Sequence, residues 1–238
     1  MGFGWEFIFK FYFCFVVSFG YDSFLSYKKA TQSSRNNDTN VSPARAVDRD
    51  ITTCSSTGAD NPAWLYVDLQ EIKSIHDIKI YFYGTDTADE QRQRELMYGY
   101  QLYVSNITDL RALDLIHHCY NHSGPALPDL ISNHVCTAFG RYVIFYNERI
   151  PGVTYPNSNG GIQNFTYVQL CEIIVNGCET PGTYGDNCFK RCPSKCQEQR
   201  CHIINGNCLG CMEGWKGDTS VQKDIMDWNV EIFVQTTA

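Results

Sequence analysis

Asp48 and Asp50 stand at alternate positions in the run ARAVDRDITTCSS, and a hydroxyl, Thr53, follows with Cys54 directly behind it. Hard cations such as calcium take six to eight oxygens from carboxylates, hydroxyls and backbone carbonyls, and a short loop of this kind supplies several of them. Turn capping would need only the same two aspartates, because Asp side chains close turns on their own backbone. Behind the loop, Trp64-Leu65-Tyr66-Val67-Asp68-Leu69 alternates in the manner of a half-buried strand. Together these point to a metal-pinned loop on a β-sandwich, and to a binding module before an enzyme.

Two other groupings could do chemistry. His117 and His118 adjoin Cys119, with His122 and His134 nearby, a set from which a metal or thiolate site can be drawn. In a chain this rich in cysteine, Cys119 reads instead as half of a disulfide and the histidines as surface residues. Cys208-Leu209-Gly210-Cys211 is a C-x-x-C that with Cys196 and Cys201 mimics a zinc ribbon. No nucleophile-elbow sequence and no glycine-rich phosphate loop after a strand is present, so no enzymatic reading gathers residues around it.

The elements that must position these groups are strands. The stretches 75–83, 98–104, 141–146 and 167–175 are rich in β-branched and aromatic residues, and clusters of Gly, Asn, Asp and Pro separate them. No stretch shows a convincing long helical period. The expected fold is all-β, an antiparallel jelly-roll sandwich over residues 24–177. At Cys178 the composition changes: Cys178, Cys188, Cys192, Cys196, Cys201, Cys208 and Cys211 crowd one short segment. So small a unit cannot bury enough apolar surface and must be stapled. It spans 178–220, and the remaining 221–238 is expected to be a disordered tail.

The chain's 238 residues are 43% hydrophobic and 14% aromatic, enough for a real core. A net charge of −7 argues against a nucleic-acid binder, which needs clustered Lys and Arg. Twelve cysteines indicate an oxidising compartment. Five sequons, at Asn37, Asn40, Asn106, Asn121 and Asn164, agree with a secreted chain glycosylated at those positions. The apolar run 11–19 after Lys10 has the length of a signal h-region and falls short of a membrane span, giving a signal peptide over 1–20. An uncleaved anchor is the competing reading. Cleavage would remove Cys14 and leave eleven cysteines from the twelve.

Taken in order, Ala30-Thr31-Gln32-Ser33-Ser34, Ala46-Val47-Asp48, Cys54, Trp64 to Leu69, Gly140-Arg141-Tyr142-Val143 and Leu170-Cys171-Glu172-Ile173-Ile174-Val175-Asn176-Gly177 resemble the fucolectin (F-type lectin) branch of the galactose-binding-like, discoidin-related jelly rolls. The tail, carried by Gly182-Thr183-Tyr184-Gly185-Asp186-Asn187-Cys188 and Gly214-Trp215-Lys216-Gly217, resembles an EGF-like repeat of multiple-EGF-like-domain proteins. The first resemblance implies a structural calcium held by the backbone carbonyls of Arg45, Asp50 and Cys171, the carboxylates of Asp48 and Glu172, and Thr53. It also implies the disulfides Cys54–Cys171 and Cys119–Cys136. The second implies Cys178–Cys188, Cys192–Cys201 and Cys196–Cys208, with the partner of Cys211 missing where Ser220 stands.

The family grips fucose with one histidine and two arginines beside vicinal cysteines. Ser56 holds the histidine position, Tyr83-Gly84-Thr85-Asp86 replaces the run bearing the first arginine, and vicinal cysteines are absent. The second arginine falls near Arg94 or Glu95. The resemblance therefore implies a lectin-like recognition or adhesion module without the fucose triad, whose partner is a glycan or an extracellular protein. One rival is a lectin with a shifted sugar site around Ser56, Arg92 and Arg94; another is a structural ectodomain fragment. A disulfide-linked or lectin-type oligomer is a further expectation.

Overall fold

The computed structural model describes residues 20–24, 29–35, 41–84, 87–156, 164–216 and 221–222. The expected signal segment, the sequons at Asn37 and Asn40, and the tail beyond Gln222 lie outside the described residues. The strands are β1 (Asp22–Ser23), β2 (Lys29–Gln32), β3 (Ser55–Ser56), β4 (Ala63–Phe82), β5 (Gln101–Ser105), β6 (His117–Asn121), β7 (Ile131–Asn147) and β8 (Gln169–Cys178). After them come β9 (Thr183–Tyr184), β10 (Lys190–Arg191), β11 (Trp215–Lys216) and β12 (Val221–Gln222), and one helix, α1 (Thr87–Met97), lies between β4 and β5.

All pairings are antiparallel, and two long strands build both layers of the sandwich. The first half of β4 pairs with β2 and with the end of β7, which continues through β5 to β6, making a front sheet. The second half of β4 pairs with the start of β7 and with β8, which carries β1 and β3, making a back sheet. Between the halves the register shifts from Asp68 to Lys73, and Gln70 takes a φ of 69°. Such a bulge bends a strand without ending it, so the two strands expected at 64–69 and 75–83 are one strand that passes from front to back.

Alternation decides what fills the space between the sheets. Leu65, Val67, Leu102, Val104, Val143 and Phe145 point in from the front, and Ile78, Ile80, Ala138, Leu170, Ile173 and Val175 from the back, in one buried cluster. Within the back sheet β4 and β8 approach closely at Gly177, which is paired with Ile75: an added Cβ there would meet the Ser74 carbonyl at 2.0 Å. The Cys119–Cys136 disulfide joins β6, at the edge of the front sheet, to β7 in the back sheet.

Helix α1 corrects the reading in which no stretch shows a convincing long helical period. Its sequence TADEQRQRELM consists almost wholly of strong helix formers. Its apolar stripe is short, because Leu96 and Met97 are the buried apolar residues of its last turn, and a search for period therefore passes over it.

The cysteine-rich segment folds around Cys178–Cys188, Cys192–Cys201 and Cys196–Cys208, and with Cys54–Cys171 and Cys119–Cys136 these are the pairs the resemblances imply. Cys211 lies outside the five disulfides and bridges Cys196 through its backbone. Gly206, at φ 78°, lies flat against the Tyr184 ring, where an added Cβ would meet ring carbon at 2.4 Å. Cys178, Cys188 and Ile203 form a small core that reaches Tyr21 beside β1.

Candidate functional site

The loop bearing Asp48 and Asp50 hangs over β8. A short 3-10 turn (Pro43–Ala46) turns the chain into it, and the Cys54–Cys171 disulfide and the β3–β8 pairing bring it back to the sheet. Asp48 Oδ1 accepts the Asp50 amide at 2.9 Å, and its Oδ2 accepts the Thr53 hydroxyl at 2.6 Å. Asp50 Oδ1 accepts both the amide and the hydroxyl of Thr52, which holds its carboxyl below the usual carboxylate range. The Asp50 carbonyl accepts Thr53 N at 3.0 Å. Both aspartates thus close turns, and their carboxylates face solvent.

Glu172 supplies the second side of the site from beneath. It is 1% exposed, and its Oε2 accepts the Arg49 amide at 2.8 Å. Beside it, the register between β4 and β8 jumps from Tyr81–Glu172 to Phe82–Leu170, so Cys171 is a bulge residue outside that ladder. A bulge frees the backbone groups of its extra residue from the partner strand. The residues assigned to calcium therefore converge: Arg45, Asp48, Asp50 and Thr53 on one loop, Cys171 and Glu172 on the strand the loop is tied to. The side-chain donors are all oxygen, from two carboxylates and a hydroxyl, which suits a hard cation.

The residues considered for a sugar do not gather in the same way. Ser56 is buried in β3, where its carbonyl accepts Gln32 Nε2 at 2.9 Å and its hydroxyl lies 3.3 Å from Gln169 Nε2. Arg94 turns its guanidinium onto the carbonyls of Pro128 and Leu127, at 2.8 and 3.2 Å, with Glu90 and Asp129 within salt-bridge range. Arg92 is exposed on α1. His117 comes within 4.8 Å of Cys119 and Cys136, but those sulfurs are bonded to each other and are not thiolates.

Sequence reasoning passed over Arg149. Only 3% exposed, its guanidinium donates to the carbonyls of Leu96 (2.7 Å), Tyr98 (2.8 Å) and Glu95 (3.3 Å) and to Asn147 Oδ1 (3.1 Å). It thereby closes the C-terminus of α1, where a cation suits the helix dipole. Burial pulls its pKa down to about 10. An arginine just past the strand end, in Tyr146-Asn147-Glu148-Arg149, carries no local signal of this role. Exposed sequon residues stand at Asn106, Asn121 and Asn164.

Residues 45–143 match the family model described as NedA-like, galactose-binding domain. Comparison with curated proteins returns no match. Among solved structures, a fucolectin from striped bass (Morone saxatilis) serum is similar over 66% of this chain and 47% of that one, with 19% identity and a TM-score of 0.50. The chain thus spans about half the length of the striped bass lectin. A Streptococcus pneumoniae fucose binding module is similar over 66% of this chain and 99% of that one, at 16% identity and a TM-score of 0.47. Chitosan-binding module 1 of a Paenibacillus sp. IK-5 chitosanase/glucanase is similar over 66% and 99%, at 20% identity and a TM-score of 0.45. At such identities the likeness is one of fold. The match over 45–143, the likeness to the striped bass lectin and the two-layered antiparallel architecture together give this chain a galactose-binding-like jelly-roll fold.

Proposed function

We propose that the chain is a secreted, non-catalytic recognition module. In this reading a calcium ion fixes the early loop of a lectin-like jelly roll, and a small EGF-like unit follows it. The observation that carries the reading is the convergence of the Asp48 loop on Glu172 and the Cys171 bulge, locked by Cys54–Cys171. Asp48 and Glu172 would hold calcium through carboxylates, Thr53 through its hydroxyl, and Arg45, Asp50 and Cys171 through backbone carbonyls. Bound there, the ion would neutralise the carboxylates and stiffen the loop.

The ligand class is a neutral glycan, met at the loop end of the sandwich that α1 borders. The likeness in fold to the striped bass fucolectin supports this class without naming the sugar. Fucose recognition by histidine and paired arginines is not kept, since Ser56 is buried and Arg94 is held by carbonyls of 127 and 128. The test is a glycan panel probed with the secreted full chain in calcium and in chelator. Calcium-dependent retention that free fucose fails to displace is expected. Displacement by fucose would contradict the lost triad, and retention of no glycan would overturn the lectin-like reading.

A further inference from the structure

The outer face of an antiparallel sandwich sheet commonly meets water with polar side chains. Here the front sheet turns Trp64, Tyr66, Tyr103, Tyr142 and Tyr146 outward. Trp64 and Tyr66 stand parallel, with centroids 5.7 Å apart and an interplanar angle of 8°, and Tyr66 meets Tyr142 edge-on at 5.7 Å. Leu110 and Ile116, from the connection between β5 and β6, pack on part of this cluster. Trp64, Tyr66 and Tyr142 remain partly exposed.

The sheet register says what lies next to that face. Trp64 is opposite Tyr146, Tyr146 opposite Gln101, and Gln101 opposite Asn121. Directly opposed residues share a face, so these four form one outward row across four strands. At the usual strand spacing, Asn121 lies roughly 14 Å from Trp64. Asn121 is exposed and opens the sequon Asn121-His122-Ser123. At the rim Arg141 binds the Asp68 carboxylate in two places, at 2.7 and 2.8 Å, and the Glu148 carboxylate accepts the Tyr146 hydroxyl at 3.1 Å. A neutral, amphipathic occupant fits such a face: sugar C–H groups pack on aromatic rings while hydroxyls meet Gln101 and water.

We propose that Asn121 carries an N-linked glycan whose first sugars lie across this face, against Tyr146 and Trp64. The glycan is the chain's own cover for an aromatic sheet, distinct from any ligand at the loop end. This inference rests on the extracellular reading above.

The test uses the full chain secreted from a eukaryotic host. Peptide mass spectrometry measures occupancy of each sequon, and hydroxyl-radical footprinting measures the oxidation of Trp64, Tyr66 and Tyr142. Occupancy of Asn121 is expected, with oxidation of Trp64 rising at least threefold in both Asn121→Gln and Ser123→Ala and unchanged in Asn106→Gln. Ser123→Ala removes the glycan while keeping the Asn121 side chain, so agreement of the two variants excludes misfolding. An empty Asn121 beside other occupied sequons, or an occupied Asn121 with unchanged oxidation, overturns the inference alone. If no sequon is occupied, the extracellular reading falls with it.

Discussion

Arg149 shows how one side chain fixes the geometry of the loop end. Arg149→Met would strip a donor from the Tyr98 carbonyl and from Asn147 Oδ1, while the Glu95 carbonyl keeps the Tyr98 amide at 3.3 Å and Leu96 keeps Asn147 Nδ2 and Thr166 Oγ1 at 3.0 and 2.7 Å. At about 1–3 kcal/mol for each buried group left unsatisfied, the expected loss is about 2–4 kcal/mol, read from the urea midpoint. Arg149→Lys keeps charge but not the planar fork and is expected to recover only part of it. His134 sets a second expectation. It stacks on Tyr120 at 3.8 Å and meets the Tyr100 hydroxyl at 2.7 Å, and burial, with His122 nearby, pulls its pKa from 6.5 down to about 4. The unfolded chain therefore takes up this proton first as pH falls. The stability that neutral His134 contributes is complete above pH 6.5 and is lost as pH falls toward 4. In His134→Phe the slope of stability against pH across that window should flatten by up to one proton; an unchanged slope would remove His134 from the account.

At the scale of elements, the close pairing of β8 with β4 leaves no room for a side chain at Gly177. Gly177→Ala is expected to cost about 1–3 kcal/mol through overpacking, with amide exchange speeding up in β4 and β8 and not in β5 or β6. The strands were legible in sequence because alternation reports on faces: Leu65 and Val67 went inward as the pattern required. What that pattern did not disclose was that the opposite set, Trp64 and Tyr66, would be as aromatic as a core. The first half of β7 was hidden because its inward residues are small, Cys136, Ala138 and Gly140. Helix α1 was hidden because its propensity is strong and its period weak. Of the site, the early loop and Glu172 could be placed together only through the resemblance, since nothing local links residues 48 and 172. Arg149 acts on backbone carbonyls of α1 and the residues just after it, and such partners leave no trace in side-chain chemistry.

At the scale of the molecule, disulfides tie distant elements that the sheets alone would leave apart. Cys54 and Cys171 are 117 residues apart, so in the chain-entropy model their bond is worth about 4–5 kcal/mol. The double variant Cys54→Ala, Cys171→Ala is expected to lose about that much in chemical denaturation, and its early loop to lose protection from exchange. The central claim is that calcium joins that loop to β8, and the most direct measurement is thermal unfolding of the secreted chain with calcium and with chelator, beside Asp48→Ala and Glu172→Ala. The account predicts a calcium-dependent rise in Tm that both variants abolish. No rise at millimolar calcium, or the same rise in both variants, would contradict it.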